Sequence, residues 1–226
     1  MKSRAELKKL YGKGYVEIFQ QKQSLYRLER LLEYMNIDSD HSVADFGCGS
    51  GILMELIASK VKSYVGIDFS EAFIKTAKQK KKQLSIHNAE FFCMDINEFC
   101  QKHIRMFDVG FAMDFSEHVY DEEWERILRS IRMSLKPGGR LYLHTPNASF
   151  FLERMKSKNF IVKQFPEHVA VRSLEDNVSL IKKAGFIVTQ VRLLPHYNIL
   201  RFVHPLSYIP FAGKYFSARI FIEAAV

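Results

Sequence analysis

The chain has 226 residues, three cysteines and a formal net charge of +8. This length suits one domain with a substantial core, so we expect a single domain over residues 1–226. The charged N-terminus and the lack of a long apolar run disfavour a secretory signal and a membrane-spanning helix, and the cysteines have no metal-site or redox spacing, so a cytoplasmic protein is expected. The positive charge favours anionic partners such as nucleic acid or acidic lipid headgroups.

The first predicted elements precede the sheet. Two glycines stand beside two aromatic residues in Tyr11–Tyr15, a composition that suits a lid segment, residues 1–24, closing over a bound cofactor. A flexible tail would explain the same composition. Leucines at helical spacing then predict an amphipathic helix from Ser24 to Asn36.

A strand, a tight loop and a helix are predicted where an apolar run gives way to three alternating glycines. Val43–Phe46 is the strand, and Gly47, Gly49 and Gly51 follow it. Glycine is needed where the backbone takes a positive φ or approaches a ligand without an intervening Cβ atom. The loop predicts a site for a small ligand. A tight turn without ligand also fits, and the spacing lacks the last gap of a dinucleotide-binding fingerprint.

Four successive β-rich runs carry a carboxylate at or next to their carboxyl ends. These residues are Asp45, Asp68, Asp95 and Asp114. In an open parallel sheet, ligands bind at the carboxyl ends of the strands, where the strand order reverses. We therefore expect these side chains in one crevice. Because Asp68 ends the second run, where an acidic side chain can accept both hydroxyls of a ribose, a nucleoside-containing cofactor is predicted.

The second half of the chain begins with a fifth predicted strand, Arg140–Thr145, which Pro146 ends. Two insertions rich in aromatic and basic residues follow, over residues 147–172 and 195–217. The aromatic side chains of the second insertion would suit an apolar substrate or a membrane surface, and simple packing over the sheet edge is the alternative.

The last predicted elements are a helix and two strands. The helix begins after Ser173, with Asp176 three residues later as a capping partner, and ends at Gly185. Phe186–Leu194 is the sixth strand, and Arg219–Val226 is a terminal strand.

The glycine loop and a later turn carry a resemblance. Asp45-x-Gly47-x-Gly49-x-Gly51 and Leu135-Lys136-Pro137-Gly138-Gly139 are similar to two motifs of the class I S-adenosylmethionine-dependent methyltransferases. The resemblance extends from about Leu25 to Phe186. It implies an α/β fold, a Rossmann-like, seven-stranded, mostly parallel sheet with helices on both faces and an antiparallel last strand, and S-adenosylmethionine as cofactor. It also implies that the first insertion contacts the substrate, and we expect both insertions to cover it. The cofactor-binding residues that it implies are Asp45, Gly47, Gly49, Gly51, Asp68, Phe69, Met94, Asp95 and Met113.

A second motif follows the fourth strand. Asp114-Phe115-Ser116-Glu117-His118 resembles the Glu-x-x-Glu-His motif of ubiquinone-biosynthesis O-methyltransferases and small-RNA 2′-O-methyltransferases, with aspartate in place of the first glutamate. In those enzymes the motif holds a divalent cation, and in the RNA enzymes a further histidine completes the site. The metal ligands implied here are Asp114, Glu117, His118 and His168. Two imidazoles with two carboxylates suit Mn²⁺, Fe²⁺ or Zn²⁺ better than Mg²⁺.

The catalytic candidates come from the same motif. Asp114, Glu117 and His118 share one face if a helical turn begins there. Without a metal, His118 is the preferred general base, because an imidazole changes charge near neutral pH. The alternative is that Glu117 and His118 only cap a turn and shape the pocket.

The predicted function is S-adenosylmethionine-dependent O-methylation of a small or lipid-like hydroxylated acceptor such as a quinone precursor. One alternative is a metal-dependent RNA 2′-O-methyltransferase, which the positive charge favours and the lack of a recognisable RNA-binding module disfavours. Another is a catalytically silent protein that binds the cofactor or a partner protein. Peripheral contact with a membrane is a further hypothesis. The glycine spacing disfavours an NAD-dependent oxidoreductase.

Overall fold

The computed structural model describes residues 25–157, 168–197 and 199–226. The described helices are α1 (Leu25–Leu32), α2 (Ile52–Ile57), α3 (Glu71–Gln83), α4 (Ile96–Lys102), α5 (Asp121–Ser134), α6 (Phe151–Ser157) and α7 (Leu174–Lys183). The strands are β1 (Ser42–Phe46), β2 (Ser63–Asp68), β3 (Ala89–Cys93), β4 (Phe107–Met113), β5 (Leu135–Pro146), β6 (Ile187–Leu194) and β7 (Arg219–Ala225). Short 3₁₀ segments cover Ala58–Lys60, Ser116–His118, Ile199–Tyr208 and Gly213–Tyr215. The predicted lid segment, residues 1–24, and residues 158–167 of the first insertion lie outside the described residues.

The strands form one seven-stranded sheet in the order β3-β2-β1-β4-β5-β7-β6. β1 to β5 run parallel to one another, and β7 is antiparallel to both β5 and β6. The fold class predicted from the sequence is therefore confirmed. Because the chain turns from one half of the sheet to the other between β1 and β4, the carboxyl ends of these strands open a crevice at the point where strand order reverses.

Helices cover both faces of the sheet and bury two apolar layers. One layer lies under α4, α5 and α7, where Trp124, Phe99 and Ile181 have no exposed surface. The other lies under α1, α2 and α3, where Met54 and Tyr64 are equally buried. Since both faces are covered, β1 and β4 are apolar along most of their length, as expected for central parallel strands.

The start and end of α7 follow its sequence signals. The Ser173 hydroxyl accepts a hydrogen bond from the Asp176 amide, and the Asp176 carboxylate accepts one from the Ser173 amide, so the predicted capping box is present. Gly185, just past the helix, has a φ of +92°, a conformation that ends helices and that glycine adopts without strain. The helix and its orientation could thus be derived from local chemistry alone.

Two boundaries differ from the sequence predictions. β5 begins at Leu135, which pairs with Phe107 before an irregularity in the ladder, so the strand includes the Pro-Gly-Gly turn. The strand ends at Pro146 as predicted, and Pro146 itself still pairs with Arg219 of the antiparallel strand β7. Proline is tolerated at that position because it is the last residue of the strand. The first helix is also shorter than predicted, since α1 ends at Leu32.

The second insertion packs against the chain that follows β5. The Asn147 side-chain amide donates to the Ser217 carbonyl over 2.8 Å, and the Arg154 guanidinium lies 5.1 Å from the Tyr215 ring centre. These contacts place the described part of the insertion at the carboxyl edge of the sheet. None of the described helices combines the length and the apolar character needed to cross a bilayer.

Candidate functional site

The glycine loop between β1 and α2 has the backbone that its sequence predicts. Gly47, Gly49 and Gly51 have φ values of +77°, +52° and +73°. A Cβ atom on Gly47 would lie 2.7 Å from the Phe115 ring, closer than real contacts allow. The loop amides of Gly47 and Cys48 donate to the Ile67 carbonyl at the end of β2. The glycines therefore allow a tight turn that lies directly against its neighbours.

Two buried carboxyl groups flank the loop. The Tyr64 hydroxyl donates to Asp45 over 2.5 Å, and burial raises the pKa of Asp45 to about 7. Asp68 ends β2 and accepts hydrogen bonds from the Gly49 amide at 3.1 Å and the Ser70 amide at 2.8 Å. Burial raises the pKa of Asp68 to about 6, while these amides act in the opposite direction. Asp68 is thus held against the glycine loop, one strand away from it.

The remaining residues of the implied cofactor set lie at the same edge of the sheet. Asp95 follows β3 and caps α4, since one of its carboxylate oxygens accepts from the Asn97 and Glu98 amides. The Met94 amide donates to the Asp68 carbonyl, and its side chain packs against the core. Phe69 directly follows β2, and Met113 is the last residue of β4.

A group of three potential metal ligands lies after β4. Glu117 and His118 belong to the 3₁₀ turn that follows the strand, and His168 comes from the first insertion. The ligand atoms of these three side chains lie within 4.8 Å of one another, and the two imidazole ring centres are 5.1 Å apart. The structure therefore brings together three of the four residues in the implied metal set.

A buried arginine fixes the relative position of these segments. Arg172 donates to the Ser116 carbonyl at 2.7 Å, the Val119 carbonyl at 2.5 Å and the Asp121 carboxylate at 2.8 Å. The Ala170 amide also donates to the Glu117 carbonyl. The chain that carries His168 is thereby tied to the turn that carries His118. Sequence reasoning missed Arg172, because an arginine beside a predicted helix start gives no signal of such a role.

The electrostatics of the group suit a cation. Burial and then the nearby charge of Asp114 raise the pKa of Glu117 to about 8. Burial and then His118 lower the pKa of His168 to about 3, so this imidazole is neutral and keeps a lone pair. A divalent cation would stabilise an ionised Glu117, and one carboxylate with two imidazoles suits Mn²⁺, Fe²⁺ or Zn²⁺. The residues present therefore fit a transition-metal ion.

Asp114 lies outside that group, contrary to its implied role as a metal ligand. It has a φ of +50°, which is unusual for a residue other than glycine, and its carboxylate pairs with Arg27 at 2.5 Å and Arg219 at 3.2 Å. His144 Nδ1 lies 2.9 Å from the same carboxylate, and the Tyr197 hydroxyl lies 2.8 Å from His144 Nε2. We call these five residues the arginine cluster.

The arginine cluster explains the ionisation of Asp114. Burial alone would raise its pKa, but Arg27 and then His144 hold the pKa well below its ordinary value. Of these five residues, the sequence motif implied a site role only for Asp114. It missed Arg27, Tyr197 and Arg219 because they lie on distant segments and match no motif.

An exposed apolar surface lies on the second insertion. Phe211 is 99% exposed, Tyr208 is 82% exposed and Phe202 is 70% exposed. Leu206 and Ile209 are also exposed beside them. We call these five side chains the apolar patch. Solvent-exposed aromatic groups at this density indicate a surface that contacts another molecule.

Comparison with known proteins gives a consistent family. A model of the methyltransferase domain matches residues 43–139. A ubiquinone biosynthesis O-methyltransferase of Coxiella burnetii is 34% identical over 124 residues, which cover 55% of this chain and 51% of that protein. The protein of the same name from Acinetobacter baumannii is 28% identical over 163 residues, which cover 69% of this chain and 67% of that protein. The chain thus spans about half the length of the first of these curated relatives.

A solved structure shows the same fold over nearly the whole chain. The S-adenosylmethionine-dependent methyltransferase from Archaeoglobus fulgidus superposes with a TM-score of 0.69 at 19% identity, covering 94% of this chain and 100% of the other. The strand order, the three positive-φ glycines and the matched domain agree with that fold. The chain therefore has the fold of the class I S-adenosylmethionine-dependent methyltransferases, and its residues 43–139 match a methyltransferase domain.

Proposed function

We propose that the chain transfers a methyl group from S-adenosylmethionine to a hydroxyl oxygen of a small or lipid-like acceptor, such as a quinone precursor. One observation carries the proposal: His118 lies close enough to Asp68 to lower its pKa, so a base adjoins the glycine loop that Asp68 contacts. Relatives named ubiquinone biosynthesis O-methyltransferases support oxygen as the acceptor atom.

The cofactor side consists of the glycine loop and the ends of β2, β3 and β4. A carboxylate offers about four acceptor positions, and the positions on Asp68 that the backbone amides leave free would accept from the ribose hydroxyls. Asp45 and the loop backbone hold the amino-acid end. Phe69, Met94, Asp95 and Met113 surround the adenosine. The bound cofactor supplies an electrophilic methyl group on a sulfonium.

The acceptor side supplies position and a base. Methyl transfer needs the acceptor oxygen, the methyl carbon and the leaving sulfur nearly in line, so holding both reactants accounts for most of the acceleration. Removal of the hydroxyl proton by a positioned base contributes about 10²–10⁴-fold. Without a metal ion, His118 accepts that proton, and Glu117 and His168 beside it position the imidazole.

A divalent cation is part of the proposal. Glu117, His118 and His168 would hold it, and the bound ion would polarise the acceptor hydroxyl as a Lewis acid. Titration calorimetry with MnCl₂ and with ZnCl₂ tests this without an activity assay. The wild-type protein should bind one ion, and His168→Ala should weaken that binding at least tenfold. Equal affinity in the two proteins would contradict the assignment.

The lipid-like character of the acceptor rests on the apolar patch. Arg201 and Lys214 lie on the same insertion, and the chain has a net charge of +8, so an anionic bilayer complements the surface. Sedimentation with vesicles of equal phosphatidylcholine and phosphatidylglycerol should carry the protein into the pellet. The double variant Phe202→Ser/Phe211→Ser should stay in the supernatant, whereas Ile104→Ser, at an exposed residue elsewhere, should behave as wild type. No pelleting of the wild type would exclude the membrane contact.

RNA 2′-O-methylation is the second candidate, which the two-histidine group and the positive charge favour. One experiment separates the candidates. The protein is incubated with methyl-labelled S-adenosylmethionine and with fractionated lipid, RNA and small-molecule extracts. Label should enter the lipid or small-molecule fraction in a base-stable ether. Label confined to RNA would favour the second candidate, and no labelled product would leave a cofactor-binding protein without turnover.

A further inference from the structure

The arginine cluster places two cations around one anion. Arg27 and Arg219 both pair with the Asp114 carboxylate. Burial lowers the pKa of His144, so this imidazole is neutral near pH 7. Its Nδ1 lies 2.9 Å from an Asp114 carboxylate oxygen, and its Nε2 can accept a hydrogen bond from the Tyr197 hydroxyl. The cluster therefore has a local excess of one positive charge.

Both guanidinium groups are held in place with donors to spare. Their central carbons lie 5.5 Å and 5.9 Å from the Tyr197 ring centre, so this ring lies beside both of them. A guanidinium has five N–H donors. The buried Arg27 Nε has no hydrogen-bond partner in the described part of the chain. An arginine pair with unused donors and excess charge is suited to a planar or tetrahedral oxyanion.

The cluster is open to solvent at the crevice. The side chains of Arg27 and Arg219 are 21% and 19% exposed, and that of Asp114 is 13% exposed. These exposed fractions leave room for a small anion to reach the donors.

The cluster also adjoins the proposed reacting centre. Arg219 lies near enough to Glu117 and His168 to lower the pKa values of both. Asp114 follows β4 directly, and Arg219 pairs with the last residue of β5. The arginine pair is therefore on the acceptor side of the crevice, beside the side chains that would face the hydroxyl.

We propose that Arg27 and Arg219 bind an anionic group, a carboxylate or a phosphate, on the methyl acceptor, close to the hydroxyl that is methylated. This inference rests on the proposed O-methyltransferase function. It makes the acceptor an amphiphile: an anion at the arginine pair, a hydroxyl at His118 and an apolar remainder toward the second insertion. When no acceptor is bound, Asp114 forms ion pairs with both arginines and so limits their affinity for other anions.

Binding of matched probes tests the proposal. Titration calorimetry compares 3,4-dihydroxybenzoate with 3,4-dihydroxybenzamide, which has the same shape without the charge, and phenyl phosphate tests the phosphate source. The wild-type protein should bind the benzoate or the phosphate about tenfold more tightly than the amide. Whichever anion binds more tightly identifies the source. Equal affinity for the amide and both anions, or binding of none of the three, would overturn the proposal.

Variants separate a binding role from a structural one. Arg219→Gln should weaken anion binding about tenfold and leave the amide unchanged, whereas Arg129→Gln, on the surface of α5, should change neither. Asp114→Asn removes the competing carboxylate and should tighten anion binding several-fold. If the cluster had only a structural role, Asp114→Asn should not tighten anion binding and should weaken it, because both arginines would lose their partner.

The same titrations distinguish this inference from the proposed function. They are run with and without S-adenosylhomocysteine, so anion binding is measured whether or not a methyl group is transferred. Anion binding that depends on Arg219 without any methylated product would leave the arginine site standing and refute the function. Methylation of a neutral acceptor with unchanged KM in Arg219→Gln would refute the arginine site alone.

Discussion

The two sides of the crevice are built in different ways. The cofactor side comes from one continuous stretch, in which the glycine loop and Asp68 lie about twenty residues apart and their backbone contacts fix the geometry. The acceptor side combines residues from α1, the turn after β4, the first insertion and β7. A local motif specifies a shared cofactor site, whereas long-range packing specifies which acceptor fits.

The strongest test of this difference is a substitution that gives one glycine of the loop a side-chain carbon. Gly47→Ala should abolish S-adenosylmethionine binding, because the new Cβ would lie 2.7 Å from Phe115 in a backbone with a φ of +77°. Gly138→Ala is the matched control, since its φ is +76° and nothing lies within 4 Å of the added atom. Chemical denaturation should show a loss of about 1 kcal/mol in the control from backbone strain. Gly47→Ala should exceed that loss by about 1–3 kcal/mol from overpacking.

Cofactor affinity is measured on both variants by calorimetry. Only Gly47→Ala should lose it. If both variants lost affinity equally, backbone strain rather than close approach would explain the glycines, and the loop would not differ from an ordinary turn.

A smaller effect should follow from removing the hydrogen bonds of Arg172 on the acceptor side. Arg172→Met removes three donors from the turn after β4 and should lower the free energy of unfolding by about 2 kcal/mol. The cofactor side does not depend on the Arg172 hydrogen bonds, so the affinity for S-adenosylmethionine should stay within a factor of about two. The rate of methyl transfer should fall at least tenfold.

Arg126→Met provides the control, since Arg126 forms an exposed pair within α5 and should contribute less than about 1 kcal/mol. If Arg172→Met lost cofactor affinity and methyl transfer in parallel, the cofactor side and the acceptor side would depend on the same contacts.

The smallest predicted effect is a pH dependence confined to the cofactor side. Burial raises the pKa of Asp68 to about 6, and only the ionised carboxylate can accept from both ribose hydroxyls. The contribution of Asp68 to S-adenosylmethionine affinity should therefore be constant above pH 7 and fall as the pH drops through 6, by up to about tenfold per unit. Calorimetry between pH 5 and pH 8 measures it. Asp68→Asn should bind more weakly and lack this step, and a step that persists in Asp68→Asn would assign it to another group.

The parts of the fold that the sequence predicts are those controlled by local chemistry. The glycine loop and the capping box at Ser173 follow from residues that are neighbours in the chain, whereas the antiparallel last strand was implied by the family resemblance. The carboxyl ends of β1 and β2 were placed correctly because parallel strands meet at one edge. The start of β5 at Leu135 was not, since a Pro-Gly-Gly turn ordinarily precedes a strand.

The acceptor side was only partly predictable. His118 and His168 lie close together, as the motif implies. Asp114 instead forms ion pairs with two arginines that no sequence pattern connects to it. The ion pair joins residues 87 positions apart in one case and 105 in the other, so only the folded chain reveals it. The roles assigned to the cofactor and metal residues stay predictions.

The most direct measurement is a crystal structure of the chain grown with S-adenosylhomocysteine. The account predicts the ribose hydroxyls within hydrogen-bond distance of the Asp68 carboxylate, the amino-acid end against the Gly47–Gly51 loop and the sulfur facing His118. A ligand bound elsewhere, or a crevice filled by the protein's own side chains at saturating ligand, would contradict it.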